Sequence, residues 1–84
     1  MSMDAALVRE QGVTFAVVIV KSHVLHSAAL RRNAVIGLSA QFPGVPIVLM
    51  AQGADGQPTF WGRRDIVRFL SNVPIPALPW RRYG

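Results

Sequence analysis

The 84-residue sequence has no cysteine and only four acidic residues. Without cysteine there is no disulfide framework, no thiolate nucleophile and no thiolate zinc site, which excludes zinc fingers and dithiol redox enzymes. Long hydrophobic runs are also missing, because the longest, residues 13–20, is broken by Thr14 and is far shorter than the about 20 residues that cross a bilayer. The start of the chain has no basic targeting segment, so we expect a soluble, cytoplasmic protein.

Apolar residues are abundant. They make up 51% of the chain, charged residues make up 15%, and the formal net charge is +5. This composition excludes intrinsic disorder and predicts one domain over residues 1–84. A domain of this size buries only about 60 to 65% of the surface that its unfolded chain exposes. The apolar surplus therefore favours an oligomer interface, and we expect a homodimer.

Three segments are predicted: a leader at residues 1–12, a core at 13–73 and an extended, polyproline-like tail at 74–84. Within the core, the apolar runs predict strands and the helical spacing of apolar residues predicts helices. The predicted elements are a strand at 14–21, a helix at 28–42 capped by Ser27, strands at 47–51 and 58–61 joined by a turn at 53–56, and a helix at 63–73.

This element order predicts an α/β (α+β) protein, a two-layer β-α-β-β-α sandwich. A right-handed crossover makes the first two strands parallel, and the hairpin makes the third strand antiparallel, in a three-stranded mixed sheet. Pro58 lacks an amide hydrogen, so the third strand is expected at an edge. Both helices are expected on one face. The first two strands are apolar on both sides, so the Pro-rich tail or a second copy of the chain should cover the other face.

Two loops that follow the parallel strands meet at the edge of the sheet formed by the carboxyl ends of these strands, which is where open α/β sheets bind ligands. One loop carries His23 and His26, and the other carries Asp55. A histidine titrates near neutral pH, so this edge is a candidate catalytic or anion-binding site with Asp55 as the orienting partner. Ordinary polar loop histidines explain the same residues. A metal held by His23 and His26 needs further ligands that the chain does not supply, and no metal or cofactor is predicted.

Arg63 and Arg64 open the second predicted helix, where positive charge opposes the helix dipole. A bound phosphate or an acidic partner would relieve that conflict, which makes the pair a candidate anion site. The alternative is two solvated arginines that Asp65 neutralises.

The C-terminal third alternates arginines with aromatic residues. This combination suits protein interfaces, and it also suits single-stranded nucleic acid, although the chain matches no known nucleic-acid module. The candidate interaction residues are Trp61, Arg68, Trp80, Arg81, Arg82 and Tyr83.

The segments 56–70, Val73-Pro74 and 79–83 resemble short bacterial proteins that have no assigned activity. The strand-helix-strand start and the Gly-x-Pro hairpin also resemble a truncated thioredoxin-like unit, but its Cys-x-x-Cys centre is missing. Neither resemblance carries a functional residue to this chain.

Three functions follow from these observations. The first is a small non-catalytic module for protein interaction or self-association, with a possible acidic or phosphate-bearing partner. The second is a small enzyme or anion-binding protein that uses His23, His26 and Asp55. The third, which is less favoured, is a single-stranded nucleic-acid binder.

Overall fold

The computed structural model describes residues 3–10 and 12–84. The elements in chain order are strand β1 (Met3–Glu10), strand β2 (Val13–Ile19), helix α1 (Ser22–Leu25), helix α2 (Ala28–Ser39), strand β3 (Ile47–Gln52), strand β4 (Pro58–Trp61), helix α3 (Arg64–Leu70), a 3₁₀ turn (Ile75–Ala77) and strand β5 (Trp80–Tyr83). The strands form one five-stranded sheet in the order β4-β3-β2-β1-β5. The predicted mixed α/β class is confirmed, and the predicted sheet of three strands is too small.

The centre of the sheet agrees with the sequence. β2 and β3 are parallel, with Val17 opposite Val48, as a right-handed crossover requires. β3 and β4 form the predicted antiparallel hairpin, with Met50 opposite Phe60. β4 lies at one edge of the sheet, which is where Pro58 was expected.

The predicted leader at residues 1–12 is wrong, because β1 occupies most of it. β1 pairs antiparallel with β2 from Ala5 to Glu10, and Gly12 adopts a φ of 79° directly before β2. That left-handed backbone conformation suits glycine, which has no Cβ to clash. Ala5 and Ala6 are completely buried, one on each face of the sheet. Alanine is a weak strand former, so residue preferences indicate this strand only weakly.

The two longer helices lie on opposite faces of the sheet, so the expectation that both cover one face is wrong. Alternate residues of a strand point to opposite faces. On one face, α3 contributes Ile66 and Leu70 to a cluster with Val17, Val48 and Met50. On the other face, residues of α1, of α2 and of the loop after α2 pack on the alternate residues of the same strands; the residues involved are Leu25, Leu38, Phe42, Val18, Leu49 and Ala51.

The predicted polyproline-like tail is also wrong, since it contains the 3₁₀ turn and β5. Leu78 is 7% exposed and joins the α3 face of the core, together with the half-buried Ile75 and Trp80. β5 then pairs with β1, with Tyr83 opposite Met3. The α3 face is therefore covered within one chain, as expected if the tail covers it. The homodimer stays a prediction, although a bare sheet face no longer supports it.

The helices are short. In the described part of the chain, none combines the length and the apolar character that a membrane crossing requires. The longest of them, α2, has 12 residues.

The buried part of the tail is expected to stabilise the domain. Leu78→Ala removes a side chain from the core and should lower the free energy of unfolding by about 2 to 4 kcal/mol. Arg81→Ala, at an exposed position of the neighbouring strand, should change it by less than about 0.5 kcal/mol. Urea denaturation followed by circular dichroism measures both values. Equal, small effects would show that the tail does not contribute to the core.

Replacing each of two glycines with alanine is expected to change the stability of the domain in opposite directions. A Cβ at Gly62 would lie 2.9 Å from Val48 Cγ2 and 3.2 Å from Val48 Cα, so Gly62→Ala should destabilise the domain by about 1 to 3 kcal/mol. A Cβ at Gly37 in α2 would meet no atom within 4 Å, so Gly37→Ala should stabilise it by about 0.5 to 1 kcal/mol. Thermal unfolding of both variants checks the sign of each change.

Candidate functional site

The carboxyl ends of β2 and β3 lie at one edge of the sheet, as predicted. The loop after β2 contains α1, whose Leu25 packs on Leu49 and Ala51 of β3. Ser27 then caps α2, because its Oγ accepts a hydrogen bond from the Leu30 amide at 3.2 Å. The predicted N-cap is therefore confirmed, and it fixes the start of the helix that follows the histidines.

The residues of the predicted histidine site lie at the protein surface. His23, His26 and Asp55 are all exposed. His26 lines a small cavity of about 60 Å³ beside Gln52 and Gly53. Asp55 accepts a hydrogen bond from the Gln57 amide at 3.0 Å, which stabilises its own turn. Among residues 3–10 and 12–84, no group of three or more histidine or acidic side chains is placed to hold a metal. A catalytic role of these three residues stays a hypothesis.

Arg63 of the predicted anion site is paired with an aspartate. Its Nη2 and Nε atoms donate to the two carboxylate oxygens of Asp65 at 2.7 and 3.1 Å. This hydrogen-bonded contact lowers the pKa of Asp65 and raises the pKa of Arg63. The geometry matches the alternative in which Asp65 neutralises the pair. Arg64, the first residue of α3, remains exposed.

The aromatic side chains of β5 face their own domain. The Trp80 indole nitrogen donates to the Ile75 carbonyl at 2.8 Å, and the Tyr83 ring packs edge-on against Phe42 with ring centroids 5.0 Å apart. Arg82 forms a cross-strand ion pair with Asp4 at 2.7 Å. Arg68 and Arg81 are exposed on α3 and β5. Of the predicted interaction residues on α3 and β5, Trp80 and Tyr83 therefore pack within the domain, whereas the arginines lie at its surface.

Trp61 belongs to a different surface, which we call the Trp61 surface. It is a groove of about 370 Å³ between α2 and the end of β4, lined by Ala28, Arg31, Arg32, Val35, Ile36 and Trp61. Ile36 is 64% exposed and Trp61 is 41% exposed. α2 contains no buried residue, although its apolar spacing predicted an amphipathic helix. Two large apolar side chains therefore face solvent beside two arginines.

Arg31 is the fixed element of this groove. Its Nη1 donates to the Leu25 carbonyl at 2.6 Å, and its Cζ atom lies 5.1 Å from the centre of the Trp61 ring. At this distance the guanidinium makes a cation–π contact with the indole. The Nε atom is buried without a hydrogen-bond partner in the described part of the chain. The contacts join α2 to β4 and hold the indole in place.

Sequence reasoning identified Trp61 but missed Ile36 and Arg31. A signal for Ile36 exists: it lies two positions before Leu38, about 200° away around the helix, and so is placed opposite the side that packs on the sheet. No sequence signal exists for the contact between Arg31 and Trp61. It depends on how α2 is placed relative to β4, which only the tertiary structure determines.

The ion pair at the start of α3 predicts a titration behaviour. The Asp65 carboxyl should titrate below the ordinary aspartate pKa, because Arg63 donates to its charged form. Since the pKa is lower in the folded protein, any stabilisation from this pair is present above the unfolded-state pKa and is lost as the pH falls through the folded-state pKa. NMR titration should show that Arg63→Ala raises the pKa of Asp65, whereas Arg64→Ala changes it little. An unchanged pKa in Arg63→Ala would contradict the contact.

Comparison with known proteins adds no relative. No protein-family model, no curated protein and no solved structure matches this chain. Its function must therefore be inferred from its own residues.

Proposed function

We propose that this protein is a small protein-interaction module whose Trp61 surface binds an acidic protein segment with an apolar anchor. One observation carries the proposal: Ile36, at 64% exposure, and Trp61, at 41%, line one groove together with Arg31 and Arg32. Exposed apolar side chains that cluster beside polar ones are typical of binding sites. Tryptophan and arginine are also the residues that most often dominate binding energy in interfaces.

The fixed geometry of Trp61 favours a binding role. An exposed tryptophan that rotates freely loses side-chain entropy when a partner arrives. Here the Arg31 guanidinium lies 5.1 Å from the ring centre and is itself bound to the Leu25 carbonyl. The indole is therefore already restrained before binding, which lowers the entropic cost of forming an interface.

Charge supports an acidic partner. α2 contains Arg31 and Arg32 but no aspartate or glutamate, and the whole chain carries a formal net charge of +5. Carboxylates of a partner would meet the exposed guanidinium of Arg32 at the edge of the groove, since Arg31 is engaged by Leu25 and Trp61. A second copy bound through the same surface would bring like charges together. Self-association by another surface stays a separate prediction.

A protein partner agrees better with the aromatic side chains than single-stranded nucleic acid does. Base stacking requires accessible ring faces. The Trp80 and Tyr83 rings pack against their own domain, and Arg31 lies over the Trp61 ring. The three rings do not form an open stacking platform, although the exposed arginines would still attract phosphate.

The proposal predicts that two changes in the groove weaken binding to an acidic peptide. The probe is a synthetic amphipathic peptide in which glutamates surround a central leucine and tryptophan. The control peptide has reversed charge, because lysine replaces each glutamate. Ile36→Ser removes the exposed anchor, and Arg32→Glu reverses the charge, so each should weaken binding of the acidic peptide about tenfold or more. Calorimetry measures the affinity, and NMR shifts in α2 and the Trp61 indole locate the site.

The matched control variants change residues of β1. Leu7→Ser changes another exposed apolar side chain, at 43% exposure, and Arg9→Glu makes the same charge reversal at another exposed position. Both should bind the acidic peptide like the unchanged protein. The proposal fails if the two peptides bind equally, if the β1 variants lose as much affinity as the α2 variants, or if oligothymidine competes for the groove more strongly than the acidic peptide.

A further inference from the structure

Two adjoining cavities lie at the carboxyl end of β2, apart from the residues of the Trp61 surface. They measure about 500 and 600 Å³ and share Asp4, Ile19 and Val20. Small-molecule sites in proteins usually have volumes of about 300 to 1,000 Å³. Ligands of open α/β sheets also bind outside the carboxyl ends of the strands, which is where these cavities are.

We propose that the cavity of about 500 Å³ binds a small apolar carboxylic acid. Its apolar lining consists of Ile19, Val20, Met50, Ile75 and Trp80, and its polar lining consists of Asp4, Lys21, Ser22 and Gln52. A mostly apolar wall with a few polar groups suits a ligand that has an apolar body and one polar end.

The walls of this cavity are held by hydrogen bonds within the domain. Ile19 of β2 lies opposite Met50 of β3, and the Val20 amide donates to the Met50 carbonyl at 2.8 Å. On the other side, the Trp80 indole nitrogen donates to the Ile75 carbonyl at 2.8 Å. The first bond joins the ends of β2 and β3, the second holds the indole within the tail, and the pairing of Trp80 with Ala6 of β1 places the tail on the sheet. The apolar part of the site therefore exists before a ligand binds.

The charged groups specify the sign of the ligand. Asp4 lines the cavity, but its carboxylate is paired with Arg82 at 2.7 Å. Lys21 is exposed and forms no ion pair within residues 3–10 and 12–84. Lys21 is therefore the cationic side chain of the lining that a ligand's carboxylate would balance. A phosphate dianion would add a second negative charge beside Asp4, so the balance favours a monoanion.

Ser22 and Gln52 line the same cavity, and a serine hydroxyl and a glutamine side-chain amide can donate hydrogen bonds to a carboxylate oxygen. Lys21 and Ser22 are neighbours after β2, whereas Gln52 is the last residue of β3. The polar groups thus come from two adjacent strand ends, and the apolar residues lie between the sheet and the tail. This site does not include His23, His26 or Asp55, which were predicted for the same sheet edge.

An NMR titration with phenylacetate tests the inference, with phenylacetamide as the neutral probe of nearly equal size. Phenylacetate should shift the amides of Val20, Lys21 and Gln52 and the indole of Trp80. Phenylacetamide should bind about tenfold or more weakly, because it lacks the charge that Lys21 recognises. Equal binding of the two probes, or no phenylacetate shift at these residues, would overturn the proposal.

Variants separate this site from the Trp61 surface. Lys21→Met keeps the aliphatic part of the side chain and removes its charge, and it should weaken phenylacetate binding about tenfold or more. Arg9→Met makes the same charge change at an exposed position of β1, and Trp61→Ala changes the Trp61 surface; both should leave the affinity unchanged. Circular dichroism confirms that each variant is folded. Unchanged affinity in folded Lys21→Met, or an equal loss in folded Arg9→Met, would overturn the proposal.

Discussion

Burial of β2 and β3 on both faces is the constraint on which the rest of the molecule depends. Val17 and Val18 are neighbours in β2, yet they are respectively 0% and 1% exposed because they point to opposite sides of the sheet. A small domain with such strands needs a cover on each side. α1 and α2 supply one cover, and α3 with the C-terminal segment supplies the other. The placement of α2 and α3 on opposite sides, and the inward direction of Trp80, satisfy this requirement.

The sequence predicts the elements whose side chains have strong local preferences. The β-branched residues of β2, the Ser27 cap and the turn before Pro58 all identify their structures correctly. β1 was missed because Ala5 and Ala6 are buried by their neighbours rather than by any strand preference of alanine. The side of the sheet that α3 occupies was also missed. No rule of handedness fixes it, since α3 follows an antiparallel strand rather than linking two parallel ones.

The candidate sites show the same division between local and tertiary information. The end of the sheet that carries the proposed ligand site is predictable from the parallel pair of strands. The residues there are not, because Asp4 comes from the missed β1, and Ile75 and Trp80 come from a tail that the prolines predicted to be extended. The Trp61 surface likewise unites residues of α2 and β4.

Two arginines of this chain, Arg31 and Arg63, have structural roles because their guanidinium groups bind other groups of the domain. Counting all arginines therefore overstates the positive charge that is available to a partner.

The pairing of β5 with β1 joins residues almost a whole chain apart, Met3 and Tyr83. Closing so large a loop has a high entropic cost until the intervening chain is compact, so this ladder is expected late in folding. Until β5 arrives, the outer backbone groups of β1 from Met3 to Ala6 are an unpaired strand edge of the kind that templates aggregation. Pairing with β5 covers this edge, so we expect the short strand to lower the risk of aggregation once it has formed, whatever ligand or partner the domain binds.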